Sequence, residues 1–93
     1  MKTIEAFLPQ IHNITKRYGA SNVRLFGSLA KGTARSSSDL DLLVDLMSDR
    51  DLIDLISIKQ ELEAITGFKV DIVTEKGLSK HLREKILNEA IPL

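Results

Sequence analysis

Ninety-three residues with 43% apolar side chains hold material for one small domain, residues 1–93, around one core. Thirteen basic side chains are matched by thirteen acidic ones, and a chain without basic excess is not built chiefly to grip nucleic acid, so no direct nucleic-acid binding is expected. Cysteine is absent, which excludes a disulfide framework and a thiolate zinc site. No apolar run reaches the roughly 18 residues of a membrane span, and no signal-peptide pattern opens the chain; a cytoplasmic protein without a membrane partner is expected.

Residues 4–18 read as a helix, because Ile4, Phe7, Leu8, Ile11 and Ile14 recur near the 3.6 period. Pro9 conflicts with an unbroken helix, so the regular part is expected from about Leu8, with Gly19 as its C-terminal cap. Residues 22–26 read as a first strand, Ser28 as the cap of a short helix ending by Gly32, and residues 33–38 as a polar loop. Residues 39–46 form the second strand. Ser48 and Asp51 have the spacing of a capping box, opening a helix that runs to Thr66 and closes at Gly67. Leu52, Leu55, Ile56, Leu62 and Ile65 are its expected buried stripe. Phe68 to Thr74 alternates as a third strand, and Ser79 caps a last helix to about Ala90, with Leu78, Leu82, Ile86 and Ala90 in one row. The order α-β-α-β-α-β-α predicts an α/β fold, a sheet layered with helices. The link between the second and third strands has room for a crossover helix, but strand direction stays open. Ala90 to Leu93 is apolar and cannot remain helical through Pro92; it either finishes the core or helps to dock a partner.

The most informative pattern is Gly27-Ser28, followed after ten residues by Asp39-Leu40-Asp41. A glycine and a hydroxyl at the end of a short apolar strand make a turn where backbone N–H groups can meet a phosphate. Aspartates at i and i+2 on a strand put both carboxylates on one face, where they repel each other unless a hard cation such as Mg²⁺ lies between them. On the third strand Lys69, Asp71 and Val73 share a face; beside the second strand, Asp71 would join Asp39 and Asp41 in one cluster. Three carboxylates suit a two-metal site for phosphoryl or nucleotidyl transfer.

Plainer readings stand beside this one. Gly27-Ser28 alone is a turn and a helix cap, and the stretch fails as a P-loop because Lys31 precedes Gly32. Asp39 alone could end the serine loop as an Asx turn. Asp41 and Asp71 resist such an account, since a mid-strand aspartate under helices is costly unless paired or metal-bound. Asp45, Asp49, Asp51 and Asp54 read as a solvated edge and the acidic start of a helix. His12 and His81 read as surface residues, Tyr18 and Phe26 as packing residues, and residues 80–85 as an exposed helix face.

In Leu25-Phe26-Gly27-Ser28-Leu29-Ala30-Lys31-Gly32 and Ser38-Asp39-Leu40-Asp41-Leu42-Leu43-Val44, with Asp71 at the place of a third carboxylate, the chain resembles the DNA polymerase β-like nucleotidyltransferases. It is most similar to their minimal members, the MNT antitoxins encoded beside HEPN-domain toxins, and the similarity reaches to the closing Ile86–Leu93. Lys31 stands where arginine is common in that family, which replaces a bidentate phosphate contact by a point charge. The resemblance implies a small mixed sheet flanked by helices, like a polymerase β palm. It also implies transfer of AMP from ATP, with two Mg²⁺ ions, to a tyrosine of a HEPN toxin that cleaves RNA. On this pattern Gly27 and Ser28 hold the β- and γ-phosphates, Asp39 and Asp41 bind both metals, and Asp71 binds the catalytic ion and helps take the hydroxyl proton. Lys31 and Arg35 are weaker candidates for offsetting triphosphate charge. Two alternatives keep the fold: an inert antitoxin acting by occlusion, and a small-molecule nucleotidyltransferase. The second is disfavoured, because the sheet and helices leave nothing to shape an acceptor pocket, and a shallow site without a lid suits an acceptor carried by a partner protein in a stable complex.

Overall fold

A computed structural model describes residues 4–31 and 39–93, with Ser28 and Lys31 described by their backbone alone. A 3₁₀ turn at Ile4–Phe7 leads into helix α1 (Leu8–Arg17). Pro9 lies in its first turn, where a missing N–H leaves no hydrogen bond unmade, so the regular helix begins where the proline predicted. Gly19, at φ +77°, turns the chain into strand β1 (Ala20–Phe26). β1 starts two residues before the expected position, because a bulge between Ser21 and Arg24, with Asn22 at φ +50°, carries the pairing further.

Helix α2 (Gly27–Lys31) follows β1 directly. Ser28 therefore lies within its first turn and does not precede it as a cap. Strand β2 (Leu40–Leu46), helix α3 (Leu52–Thr66) and strand β3 (Val70–Thr74) come next, then a 3₁₀ turn at Glu75–Gly77 and helix α4 (Lys80–Glu89). Ser79 caps α4 as expected, its hydroxyl accepting from the Leu82 N–H at 3.3 Å. Of the row along α4, Ile86 is buried and Leu82 is exposed.

Two expectations for α3 are corrected. Its N-cap is Asp51, whose carboxylate accepts from the Ile53 N–H at 3.0 Å, while the Asp54 carboxylate accepts from the Asp51 N–H at 3.1 Å. The capping box thus runs from Asp51 to Asp54, one turn later than Ser48 with Asp51. The buried stripe holds in part: Leu62 is fully buried and Leu55 packs against the core as expected, but Ile58 joins them, whereas Leu52, Ile56 and Ile65 are 67%, 44% and 43% exposed. Residues 52–58 are apolar on nearly every side, so periodicity alone could not tell which side meets the sheet.

The four strands lie in the order β3-β2-β1-β4. β2 and β3 are parallel, joined by the α3 crossover, and β1 is antiparallel to both β2 and the short strand β4 (Ile91–Pro92). The sheet is therefore mixed. Pro92 ends the helix as expected, and the tail becomes an edge strand: Leu93 donates to the Val23 carbonyl at 3.0 Å and its side chain packs against the core. That core joins Val23, Leu25, Leu40, Leu42, Val44 and Val70 of the sheet to Ile11 and Ile14 of α1 and Ile58 and Leu62 of α3. Each such fully buried Leu or Ile contributes about 1.5–3 kcal/mol.

Candidate active site

Side chains alternate across a strand, so seating Leu40, Leu42 and Val44 against α1 and α3 turns Asp41 to the opposite face of the sheet. Asp39, half-buried, stands two residues earlier on the same side. In the parallel ladder Asp41 is directly paired with Asp71, and in the antiparallel ladder with Phe26. The sequence pattern thus brings all three predicted carboxylates to one face and one end of β2. Asp71 is exposed on an edge strand; Asp41 is half-buried between its neighbours.

The electrostatics follow from that placement. Burial, with the negative charges of Asp71 and Asp39 acting in the same direction, pushes the Asp41 carboxyl up to about 6. Among the described residues no three acidic or imidazole groups converge as a finished metal cage. The acids are neighbours in mutual repulsion, which a divalent cation with oxygen ligands would relieve once the side chains rotate toward it.

Gly27 is fixed by the same cluster. It has φ +74°, a conformation that side chains disfavour, and a Cβ placed on it would lie 2.2 Å from Oδ2 of Asp41. The backbone at the β1–α2 junction thus lies against the carboxylate of the second strand, closer than any other residue type permits. Ser28 and Lys31 follow within α2 by their backbone, and Arg35 lies outside the described residues.

Other acidic residues are otherwise engaged. The Arg24 side chain, only 11% exposed, bonds Asp45 at 2.9 Å and pairs with Glu75 at 3.7 Å, and Asn22 also donates to Asp45 at 3.1 Å. Asp51 and Asp54 cap α3, and Asp54 also meets Arg50 at 3.3 Å. His12 and residues 80–85, His81 among them, carry exposed side chains on their helices. Tyr18 packs against the core and donates its hydroxyl to Glu61. Phe26, half-buried, lies beside Asp41 on the acidic face of the sheet. Sequence reasoning missed Arg24 and Glu63; the only signal for Glu63 was its i,i+4 spacing from Lys59, which marks countless surface pairs.

A family model described as the nucleotidyltransferase domain matches residues 8–93. A protein of Methanocaldococcus jannaschii, provisionally named a protein adenylyltransferase, is 36% identical over 78 residues, covering 84% of each chain. A solved structure provisionally described as a minimal nucleotidyltransferase superposes with a TM-score of 0.87 at 48% identity, covering 97% of this chain and 92% of the other. At the level of fold alone, a chain in the structure of a tri-AMPylated Shewanella oneidensis HEPN toxin in complex with an MNT antitoxin has a TM-score of 0.74 at 18% identity, covering 97% and 71%.

Proposed function

The chain belongs to the nucleotidyltransferase domain family, and from that premise we propose that it is the antitoxin of a HEPN/MNT pair, transferring AMP from ATP to a tyrosine of its RNA-cleaving toxin. The observation that carries this reading is the direct pairing of Asp41 with Asp71 on adjacent parallel strands, with the Gly27 backbone against Asp41. Three acids and a close-approaching glycine turn are the parts that nucleotidyl transfer requires, and the relatives named as adenylyltransferases supply the acceptor class.

In this mechanism Asp39 and Asp41 would hold two Mg²⁺ ions and Asp71 would share in holding one of them, and the charge so supplied would offset the triphosphate and steady the entering and leaving oxygens. The backbone at Gly27 and Ser28 receives the β- and γ-phosphates, and Lys31 and Arg35 counter their charge. The tyrosine oxygen bonds to the α-phosphorus as the bond from that phosphorus to pyrophosphate breaks. Asp71, exposed on the edge strand, helps take the hydroxyl proton, leaving tyrosyl-AMP and pyrophosphate.

The test is to incubate the chain with ATP, Mg²⁺ and the toxin encoded by the neighbouring gene, and to weigh the toxin by mass spectrometry. A gain of one or more AMP units, abolished by Asp39→Ala with Asp41→Ala, is the expected result. An inhibited toxin of unchanged mass would replace the enzyme by an antitoxin that acts through occlusion.

A further inference from the structure

β3 is an edge strand of the sheet, and it carries Asp71, whose side chain is exposed. Only one side of β3 is held by a neighbouring strand. In a parallel ladder residues alternate in facing the partner. The Lys69 carbonyl accepts from the Leu40 N–H at 2.7 Å, which turns the N–H of the next residue, Val70, outward from the sheet. The Val70 side chain is buried, with 1% exposure, so this amide belongs to a residue locked into the core.

Helix α3 answers that amide. Oε2 of Glu63 accepts from the Val70 N–H at 2.8 Å, and the same oxygen accepts from Nζ of Lys59, also at 2.8 Å, one turn back along the helix. These contacts, with the nearby charge of Lys69, hold the Glu63 carboxyl below the usual glutamate range, the Lys59 bond being the largest cause. Glu63 is therefore a fixed, charged acceptor clamping the first residue of β3, immediately before Asp71.

We propose that Glu63 is a positioning residue for the acid cluster: by holding the Val70 amide it sets where β3 begins, and so keeps Asp71 in register with Asp41. This rests on the reading of Asp71 as a metal ligand. A residue that acts through a ligand's backbone behaves like an outer-shell partner of a metal site, whose loss typically weakens metal binding about 10–100-fold.

The test titrates Mn²⁺ into the chain in the presence of AMP-PNP, reading free Mn²⁺ by electron paramagnetic resonance, below the unfolding temperature of every variant. Glu63→Ala is expected to weaken Mn²⁺ binding about tenfold, at the low end of the outer-shell range. Glu63→Gln, whose amide oxygen can accept the same bond, is expected to restore it to within about threefold, a rescue that a purely electrostatic role of the charge would not allow. Glu63→Leu keeps the packing without the acceptor and stands in for alanine should that variant unfold. Unchanged Mn²⁺ binding in Glu63→Ala or Glu63→Leu, while Asp71→Ala loses it, would overturn the proposal and leave the site intact. Unchanged binding in Asp71→Ala would overturn both the metal reading of Asp71 and the role given to Glu63.

Discussion

Two residues concentrate the chemistry and the strain of the site. Gly27 combines φ +74° with a virtual Cβ only 2.2 Å from Asp41, so Gly27→Ala meets both a disfavoured backbone and a displaced carboxylate. It should cost about 1–2 kcal/mol by chemical denaturation and lower AMP transfer by about 100-fold or more, since a misplaced reacting group is expensive even at 1 Å. Asp41 has its carboxyl pushed up to about 6, so the folded state binds its proton more tightly than the unfolded chain does. Its stabilising contribution is fully present below about pH 4 and is lost as pH rises through 6. The shift of roughly two units corresponds to at most about 3 kcal/mol, and solvent around this half-buried group screens it to about 1 kcal/mol. Without divalent cations, Asp41→Asn should therefore raise Tm at pH 7.5 by about 4–8 °C and flatten the decline of Tm between pH 4 and 7, as measured by calorimetry. Adding Mg²⁺ at pH 7.5 should raise the Tm of the native chain and leave that of Asp41→Asn closer to its metal-free value.

The elements show what the sequence could convey and where physical ambiguity intervened. Pro9 placed the start of α1, Ser79 the start of α4, and the alternation of Lys69 to Val73 put Asp71 on the side where the structure has it, because each of these signals is local. The face of α3 was not local information: apolar residues surround its first two turns, and the choice among them is made by the sheet beneath. The cap of α3 was ambiguous for a similar reason, since Ser48, Asp51 and Asp54 are spaced three apart and offer two overlapping boxes. The contrast is measurable: Asp51→Ala should cost about 1 kcal/mol of stability, and Ser48→Ala close to nothing. Strand β4 could not be read from its own two residues, because its bonds to Val23 and its register with Arg24 and Leu25 are decided by distant chain. The placement of the acids on one face was legible from strand alternation, whereas the clamp of Glu63 on Val70 depends on a tertiary approach that no spacing encodes.

At the scale of the molecule, the helices α1 and α3 and the acids lie on opposite faces of one thin sheet, and the whole measures 37 × 29 × 18 Å. Among the described residues no helix is long and apolar enough to cross a membrane. With Asp71 exposed at the rim, an acceptor hydroxyl borne by another protein can reach the acids without entering a cleft. On the proposed function, this chain and the toxin encoded beside it should co-elute on size-exclusion chromatography at micromolar concentration, and separate elution would count against the pairing. The rim has one more consequence. An open strand edge offers its amides to any passing chain, and sheets that leave such edges bare tend to fuse with copies of themselves. The carboxylate of Glu63 seated on the Val70 amide denies that handhold next to the acids, so self-association by strand addition is blocked at the spot where it would smother the acidic rim.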